Sequence, residues 1–220
     1  MSASLAGLRI VVSAGPTFED IDPVRFIGNR SSGKMGFAVA QAAARRGAQV
    51  VLVAGPVSLP TPDGVQRIDV RSAAQMHEAV MAQLPADVYI GAAAVADFAP
   101  AQLADNKIKK QAGQDTLTLE LVRTRDILAD IAASDRRPRL VVGFAAETHN
   151  VEVYARGKLA NKRLDLIAAN RVGLAGSGFE SDDNALTVYA ADGSAHALGP
   201  AAKTQLADQL LDLIAQRLTA

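Results

Sequence analysis

Cysteine and tryptophan are both absent from this 220-residue chain. Without cysteine there is no disulfide, no thiol nucleophile and no thiolate metal site. Histidine is scarce: His77, His149 and His196 are scattered and show no metal-ligand spacing. An excess of either charge is missing too, since 23 Lys and Arg balance 23 Asp and Glu. That balance argues against a long nucleic-acid partner, which needs a basic face. No apolar run reaches the ~18 residues that span a bilayer. The start, Met-Ser-Ala-Ser-Leu-Ala-Gly, lacks the basic-then-apolar order of a signal peptide. The expectation is a soluble, cytoplasmic α/β protein with neither membrane nor nucleic acid as partner.

What is present is a rhythm of short apolar runs and helical patterns. Leu8–Ser13, Gln49–Ala54, Asp87–Ala92, Arg139–Ala145 and Leu164–Ala169 read as strands, apolar nearly throughout rather than alternating. Such runs, separated by helices, predict a parallel sheet covered on both faces. Helices are predicted over Gly33–Arg46 with Gly47 as its stop, from an N-cap at Ser72 through Leu84, and over Asp126–Ser134 and Asn150–Lys162. The stretch Phe98–Gly113 is polar, lysine-rich and without helical period, and Thr116–Val122 alternates as a half-buried strand does. Asn184–Tyr189 and Ala195–Leu198 flank Ala-Ala-Asp-Gly, a hairpin signal. Pro200 is placed at the start of a last amphipathic helix carrying Leu206, Leu210, Leu213 and Leu218. One domain with an inserted or appended antiparallel part is the simplest organisation.

Several segments could carry chemistry. Gly28–Gly36 reads Gly-Asn-Arg-Ser-Ser-Gly-Lys-Met-Gly before an Ala-rich helix. Small residues at a helix start leave backbone N–H groups for an anion, and the helix dipole favours it; a serine cap with glycines for close packing is the plainer alternative. The first crossover is long, so Gly15 and the Ser31-Ser32-Gly33 turn could line one pocket, with Arg25 and Asn29 between them. Lys34 lacks Walker spacing. Asp97 closes the tiny-residue run Gly91–Asp97, where it could meet a hydroxyl or an ion or simply cap a turn. Lys107-Ile-Lys-Lys110 is either a solvated charge run or a mobile cover. Lys158 and Lys162 share a helix face, which a common anion would compensate. Tyr154 and Lys158 match a dehydrogenase spacing, but the glycine fingerprint such enzymes need is missing.

Taken in order, Ala14–Thr17, Asp22–Arg25, Asn29–Gly36, Ala92–Asp97, Lys107–Lys110 and Gly143–Glu147 closely resemble the phosphopantothenate–cysteine ligase family, from about Leu8 to the last helix. The resemblance implies a Rossmann-like α/β fold with helices on both faces, an antiparallel hairpin extension and a flexible lysine-bearing flap. It implies a ligase that joins 4′-phosphopantothenate to L-cysteine with CTP and Mg²⁺ through an acyl-cytidylate. It also implies a homodimer whose sites are shared between subunits. Asn29 would serve the acyl substrate and the second half-reaction, Arg25 the substrate phosphate of the neighbouring subunit, and Ala93, Ala94 and Asp97 the pantothenate arm. Lys107 would serve acyl-cytidylate formation, Gly15, Ser31, Gly33 and Gly36 the triphosphate. Asp97, Phe144, Lys158, Lys162 and Asn170 would meet the nucleotide. The family pattern Asn-Pro-Asp-Ile is replaced by Thr124-Arg-Asp-Ile127, so the base-reading loop is expected at Arg125, Asp126, Ile127 and Leu128 without its proline. No metal ligand is assigned. One ligase domain is expected over residues 1–220, with no flavin-dependent decarboxylase domain upstream of Leu8; a phosphopantothenoylcysteine decarboxylase is the expected fused or separate partner. The competing reading is a non-catalytic nucleotide-binding module.

Overall fold

The run Arg9–Ala14 becomes the central strand because both of its faces are covered. Ile10, Val12 and Ala14 point into one apolar layer and Val11 into the other. The computed structural model describes residues 4–110, 113, 115–172 and 182–219. In chain order, β1 (Arg9–Ala14) is followed by β2 (Phe18–Asp20), β3 (Phe26–Gly28), α1 (Lys34–Arg45), β4 (Gln49–Ala54), β5 (Val65–Asp69) and α2 (Ala73–Ala82). Then come β6 (Val88–Gly91), β7 (Phe98–Pro100), β8 (Leu121–Arg123), α3 (Ile127–Ala132), β9 (Leu140–Glu147) and α4 (Val151–Asn161). The chain ends with β10 (Leu166–Arg171), β11 (Asp183–Ala190), β12 (Ala195–Ala202) and α5 (Lys203–Thr219).

Eight strands form the main sheet in the order β12-β11-β10-β9-β6-β1-β4-β5. Those from β10 to β5 are parallel, while β11 and β12 run antiparallel at one side. The chain leaves β1 toward β4 and β5, then returns to β6 on the other side of β1. This reversal is the topological switch point, beyond whose strand ends a ligand crevice opens. Helices α1 and α5 cover one face, α2, α3 and α4 the other. Each wholly buried aliphatic, such as Ile10, Ile90 or Leu210, contributes about 1.5–3 kcal/mol by leaving water. The expected parallel core and terminal hairpin are therefore present. Ser72 caps α2 through a reciprocal capping box with Gln75.

Three expectations need correction. The crossover from Phe18 to Ser32 is not all loop: β2 and β3 pair as a small hairpin. It is fixed to the start of α2 by Glu19, which accepts from the Ala73 N–H at 2.8 Å, and by the Asp20–Arg71 ion pair. The strand expected at Thr116–Val122 shrinks to Leu121–Arg123, which among the described residues pairs with β7 alone. Leu117, Leu119 and Leu121 are 51%, 36% and 41% exposed, since nothing among the described residues covers that face. Pro200 does not open the last helix but sits in β12, an edge strand, where a missing N–H costs no inner ladder bond; α5 begins at Lys203. The unforeseen β5 is the other edge, half-exposed and mixed in composition. Residues 111 and 112 of the lysine-rich stretch lie outside the described residues. Among the described residues no helix is long and apolar enough to cross a membrane.

Candidate functional site

At the switch point lies a cavity of about 590 Å³, within the range of small-molecule sites. Three segments supply much of its lining: the crossover from β1 to α1, the run after β6, and the approach to α3. Tight backbone contact makes room. Gly36 lets α1 rest on β1, where a Cβ would come 2.5 Å from that of Ala14. Gly33 caps α1 with φ +76°, a conformation L side chains resist.

The cavity gathers most of the residues singled out from sequence. Asn29, Ser31, Gly33, Gly36, Ala93, Ala94, Asp97, Arg125, Asp126, Ile127, Leu128, Phe144, Lys158, Lys162 and Asn170 all line it. Asn29 donates its side-chain N–H to the Ala94 carbonyl at 3.0 Å, so the loop before α1 is tied to the tiny-residue run after β6. Asp126 caps α3, accepting from the Ala129 N–H at 3.1 Å. Thr124 holds the preceding turn by donating its hydroxyl to the Ala96 carbonyl at 2.6 Å and its N–H to the Asp97 carbonyl at 3.0 Å. The turn is thus fixed without the proline of the family pattern.

Three expected residues stand apart from this lining. Gly15 sits beneath it: at φ +80°, its carbonyl accepts from the Ala94 N–H at 2.9 Å, and a Cβ there would meet Val57 at 3.1 Å. Its contribution is to the frame. Arg25 and Lys107 are exposed on the flap side. Arg25 is paired with Asp22 and donates to the Ile108 carbonyl at 2.8 Å. Asp22 is buried and also accepts from the N–H groups of Val24, Arg25 and Ile108 at 2.8, 2.9 and 3.1 Å. The Arg25 guanidinium, with those N–H groups, holds the Asp22 carboxyl well below the usual carboxylate range.

Each lysine of the helical pair meets a carboxylate: Glu147 pairs with Lys158 at 2.7 Å and Asp126 with Lys162 at 2.8 Å. The dehydrogenase spacing has no counterpart, for the Tyr154 hydroxyl bonds the His149 ring at 3.2 Å.

Sequence reasoning missed Ser13, Tyr89 and Lys203 in the lining, and Lys34, which lies in the Gly28–Gly36 stretch but lacks Walker spacing, lines it too. Ser13 and Tyr89 share a buried hydroxyl hydrogen bond of 2.8 Å. Burial pushes the Tyr89 hydroxyl above its ordinary range, so it stays neutral. Lys203 carries no motif, and only the fold makes its burial visible. Among the described residues no group of three His, Cys, Asp or Glu side chains is placed to hold a metal ion.

Comparison with known proteins gives a consistent picture. The bifunctional coenzyme A biosynthesis protein CoaBC of Vibrio cholerae is 52% identical over 215 residues, covering 97% of this chain and 54% of that protein. CoaBC of Escherichia coli K12 is 55% identical over 210 residues, covering 94% and 51%. The chain thus spans about half the length of the curated relatives it matches. A crystal structure of the C-terminal domain of CoaBC superposes with a TM-score of 0.83 at 40% identity, covering 99% of both chains. Residues 5–218 match the family described as the DNA/pantothenate metabolism flavoprotein C-terminal domain. The chain belongs to that family, in agreement with what its six ordered motifs resemble.

Proposed function

We propose that this chain is a phosphopantothenate–cysteine ligase that works through an acyl-cytidylate. The observation that carries the reading is the shared cavity. Asn29, Ala93, Ala94 and Asp97 line it beside the α3 cap at Asp126 and the Phe144–Lys158–Lys162 wall. A binding module would need only the nucleotide half of this set.

In the first step a carboxylate oxygen of 4′-phosphopantothenate attacks the α-phosphorus of CTP. The bond from that phosphorus to the bridging oxygen breaks, and its electron pair leaves with pyrophosphate. In the second step the cysteine nitrogen attacks the activated acyl carbon, loses a proton, and displaces CMP. Activation matters because a carboxylate is a poor electrophile until its oxygen belongs to a good leaving group. Asn29, fixed on Ala94, suits positioning of the acyl group, and the tiny Ala93 and Ala94 permit close approach of a thin pantothenate arm.

Magnesium fits as the companion of the triphosphate. It needs one or two carboxylates plus phosphates and water, and Asp97 is an exposed carboxylate in the lining. There it would neutralise phosphate charge.

The flap side favours a shared site. Lys107 and Arg25 lie outside the lining of this chain's own cavity, and exposed Val24, Phe26, Phe98, Leu117 and Val122 are carried by the same hairpin and flap segments. A second copy would cover them and bring the two cations to a cavity.

The decisive assay supplies the protein with CTP, Mg²⁺ and 4′-phosphopantothenate before any cysteine. Pyrophosphate release is expected, followed by CMP only once cysteine is added. An absence of pyrophosphate would refute the ligase reading, and the same assay with ATP decides the nucleotide.

A further inference from the structure

Ser13 and Tyr89 put two hydroxyls into an otherwise apolar part of the cavity floor. Strand register explains how they meet. In the β1–β6 pairing Val11 stands opposite Tyr89, and Ser13 opposite Gly91. Gly91 has no side chain, so the Tyr89 ring can cross its position; a Cβ there would come 3.2 Å from the ring and 3.0 Å from Leu128. The ring thereby brings its hydroxyl to Ser13 at 2.8 Å. Each residue is 1% exposed, yet both line the cavity.

The pair holds one proton too many. Two hydroxyls carry two O–H donors, and the bond between them uses one. Among the described residues neither hydroxyl has a further partner. The apolar cluster that holds Tyr89 includes Val11 and packs with Ala93, Val95 and Leu128, none of whose side chains can accept. Burial foremost, with the Asp126 carboxylate adding to it, keeps the Tyr89 hydroxyl protonated. A buried O–H without an acceptor is costly, and a ligand in the cavity can supply one. The surroundings restrict what kind. Tyr89 belongs to the layer covered by α2, α3 and α4, across the sheet from α1. Asp126 acts on it, and Leu128 borders the same Gly91 gap. An anionic acceptor would meet repulsion and desolvation there, whereas a neutral ring acceptor would not. Asp126 and Leu128 belong to the turn expected to read the base.

We propose that the Ser13–Tyr89 hydroxyl pair is the floor of the nucleobase site and gives its spare O–H to a ring nitrogen or carbonyl oxygen of the base. The proposal deepens the ligase reading and rests on it for the identity of the nucleotide. Either order of donation within the pair serves, because each hydroxyl can pass its bond to the other and donate outward.

The test uses the 220-residue protein with tyrosine labelled by carbon-13 at Cζ, whose resonance follows the hydrogen bonding of the phenol. The chain has three tyrosines, and Tyr89→Phe assigns the one that matters. CTP with Mg²⁺ should shift the Tyr89 signal, 2′-deoxy-CTP should shift it alike, and inorganic pyrophosphate should leave it in place. By calorimetry, Tyr89→Phe and Ser13→Ala should each weaken CTP by about three- to tenfold and leave 4′-phosphopantothenate within about twofold, as loss of one neutral hydrogen bond does. A pair that merely staples β1 to β6 would lower the thermal midpoint in both variants and leave CTP affinity unchanged. That result, an unmoved Tyr89 signal at saturating CTP, or equal weakening of CTP and 4′-phosphopantothenate overturns the proposal. A loss seen with CTP and absent with 2′-deoxy-CTP puts the contact on the ribose and overturns it too. Should Tyr89→Phe fail to fold, Tyr154→Phe and Tyr189→Phe assign the signal and Ser13→Ala supplies the affinity. The two readings fail separately: a protein whose Tyr89 signal answers CTP but which never releases pyrophosphate refutes the ligase, whereas normal release with an unmoved signal refutes only the hydroxyl floor.

Discussion

Two glycines on helices show how one residue type serves opposite ends. Gly36 in α1 is a close-approach residue, and the Ala14 Cβ occupies the space its own Cβ would need, 2.5 Å away. Gly157 in α4 has nothing within 4 Å of that position, so there glycine only costs conformational entropy. Gly36→Ala should therefore destabilise by about 1–3 kcal/mol through overpacking, and Gly157→Ala should stabilise by roughly 0.5–1 kcal/mol. Urea unfolding midpoints read both. Gly36→Ala matching the unaltered protein would mean that α1 can lift from β1 freely, and the cavity would then lack a rigid edge. Gly36 was legible as a site residue from its motif, but its contact with Ala14 was not, because the two meet only when α1 crosses back over β1.

At the scale of elements, legibility followed burial. Strands β1, β4, β6 and β9 read as apolar runs because they are covered twice, and α2 announced its start through Ser72. The edge strand β5 mixes Gln66, Arg67 and Asp69 with its apolar residues, so it offers no such run. Alternation at Leu117, Leu119 and Leu121 was read as one covered face, yet alternation reports only a face that needs cover and not which chain supplies it. The flap itself is anchored by a residue to which the sequence assigned no role. Asp22 fastens Ile108, next to Lys107, to the turn that carries Arg25, and Ala104 adds a bond to the Ile21 carbonyl at 3.0 Å. Asp22→Asn keeps the shape and removes the charge. It should speed amide hydrogen exchange at Ile108 and slow pyrophosphate release without changing CMP affinity. The pH dependence has a definite sign. The folded carboxyl titrates below its unfolded value of about 4, so its contribution is fully present above about pH 4 and fades as pH falls through the folded value. The stability gap between the unaltered protein and Asp22→Asn should narrow on acidification below pH ~4; a gap that holds constant to pH ~2 would refute the charge-based tether.

The whole molecule presents a division that one copy does not resolve. Its sheet and the lining of its cavity come from one chain, while the hairpin β2–β3 and the β7–β8 arm end in exposed apolar side chains. Phe26 stacks on Phe18 at 3.9 Å with Arg71 over the rings, so the hairpin is rigid enough to present a surface rather than collapse into one. Two such arms from two copies would bury each other's apolar residues and exchange Lys107 and Arg25 across the contact, which makes cavity occupancy and association parts of one equilibrium. A ligand that touches both copies then stabilises the pair by mass action. Leu117→Glu together with Val122→Glu puts charge on two positions that are already exposed, so circular dichroism and the thermal midpoint of the isolated fold should barely move. Sedimentation should show the unaltered protein as a dimer and the double variant as a monomer, with pyrophosphate release lost while binding of CMP, which needs only one chain's cavity, survives. A variant that remains dimeric, or a monomer that still releases pyrophosphate at the full rate, would show that each copy closes its own site with its own flap.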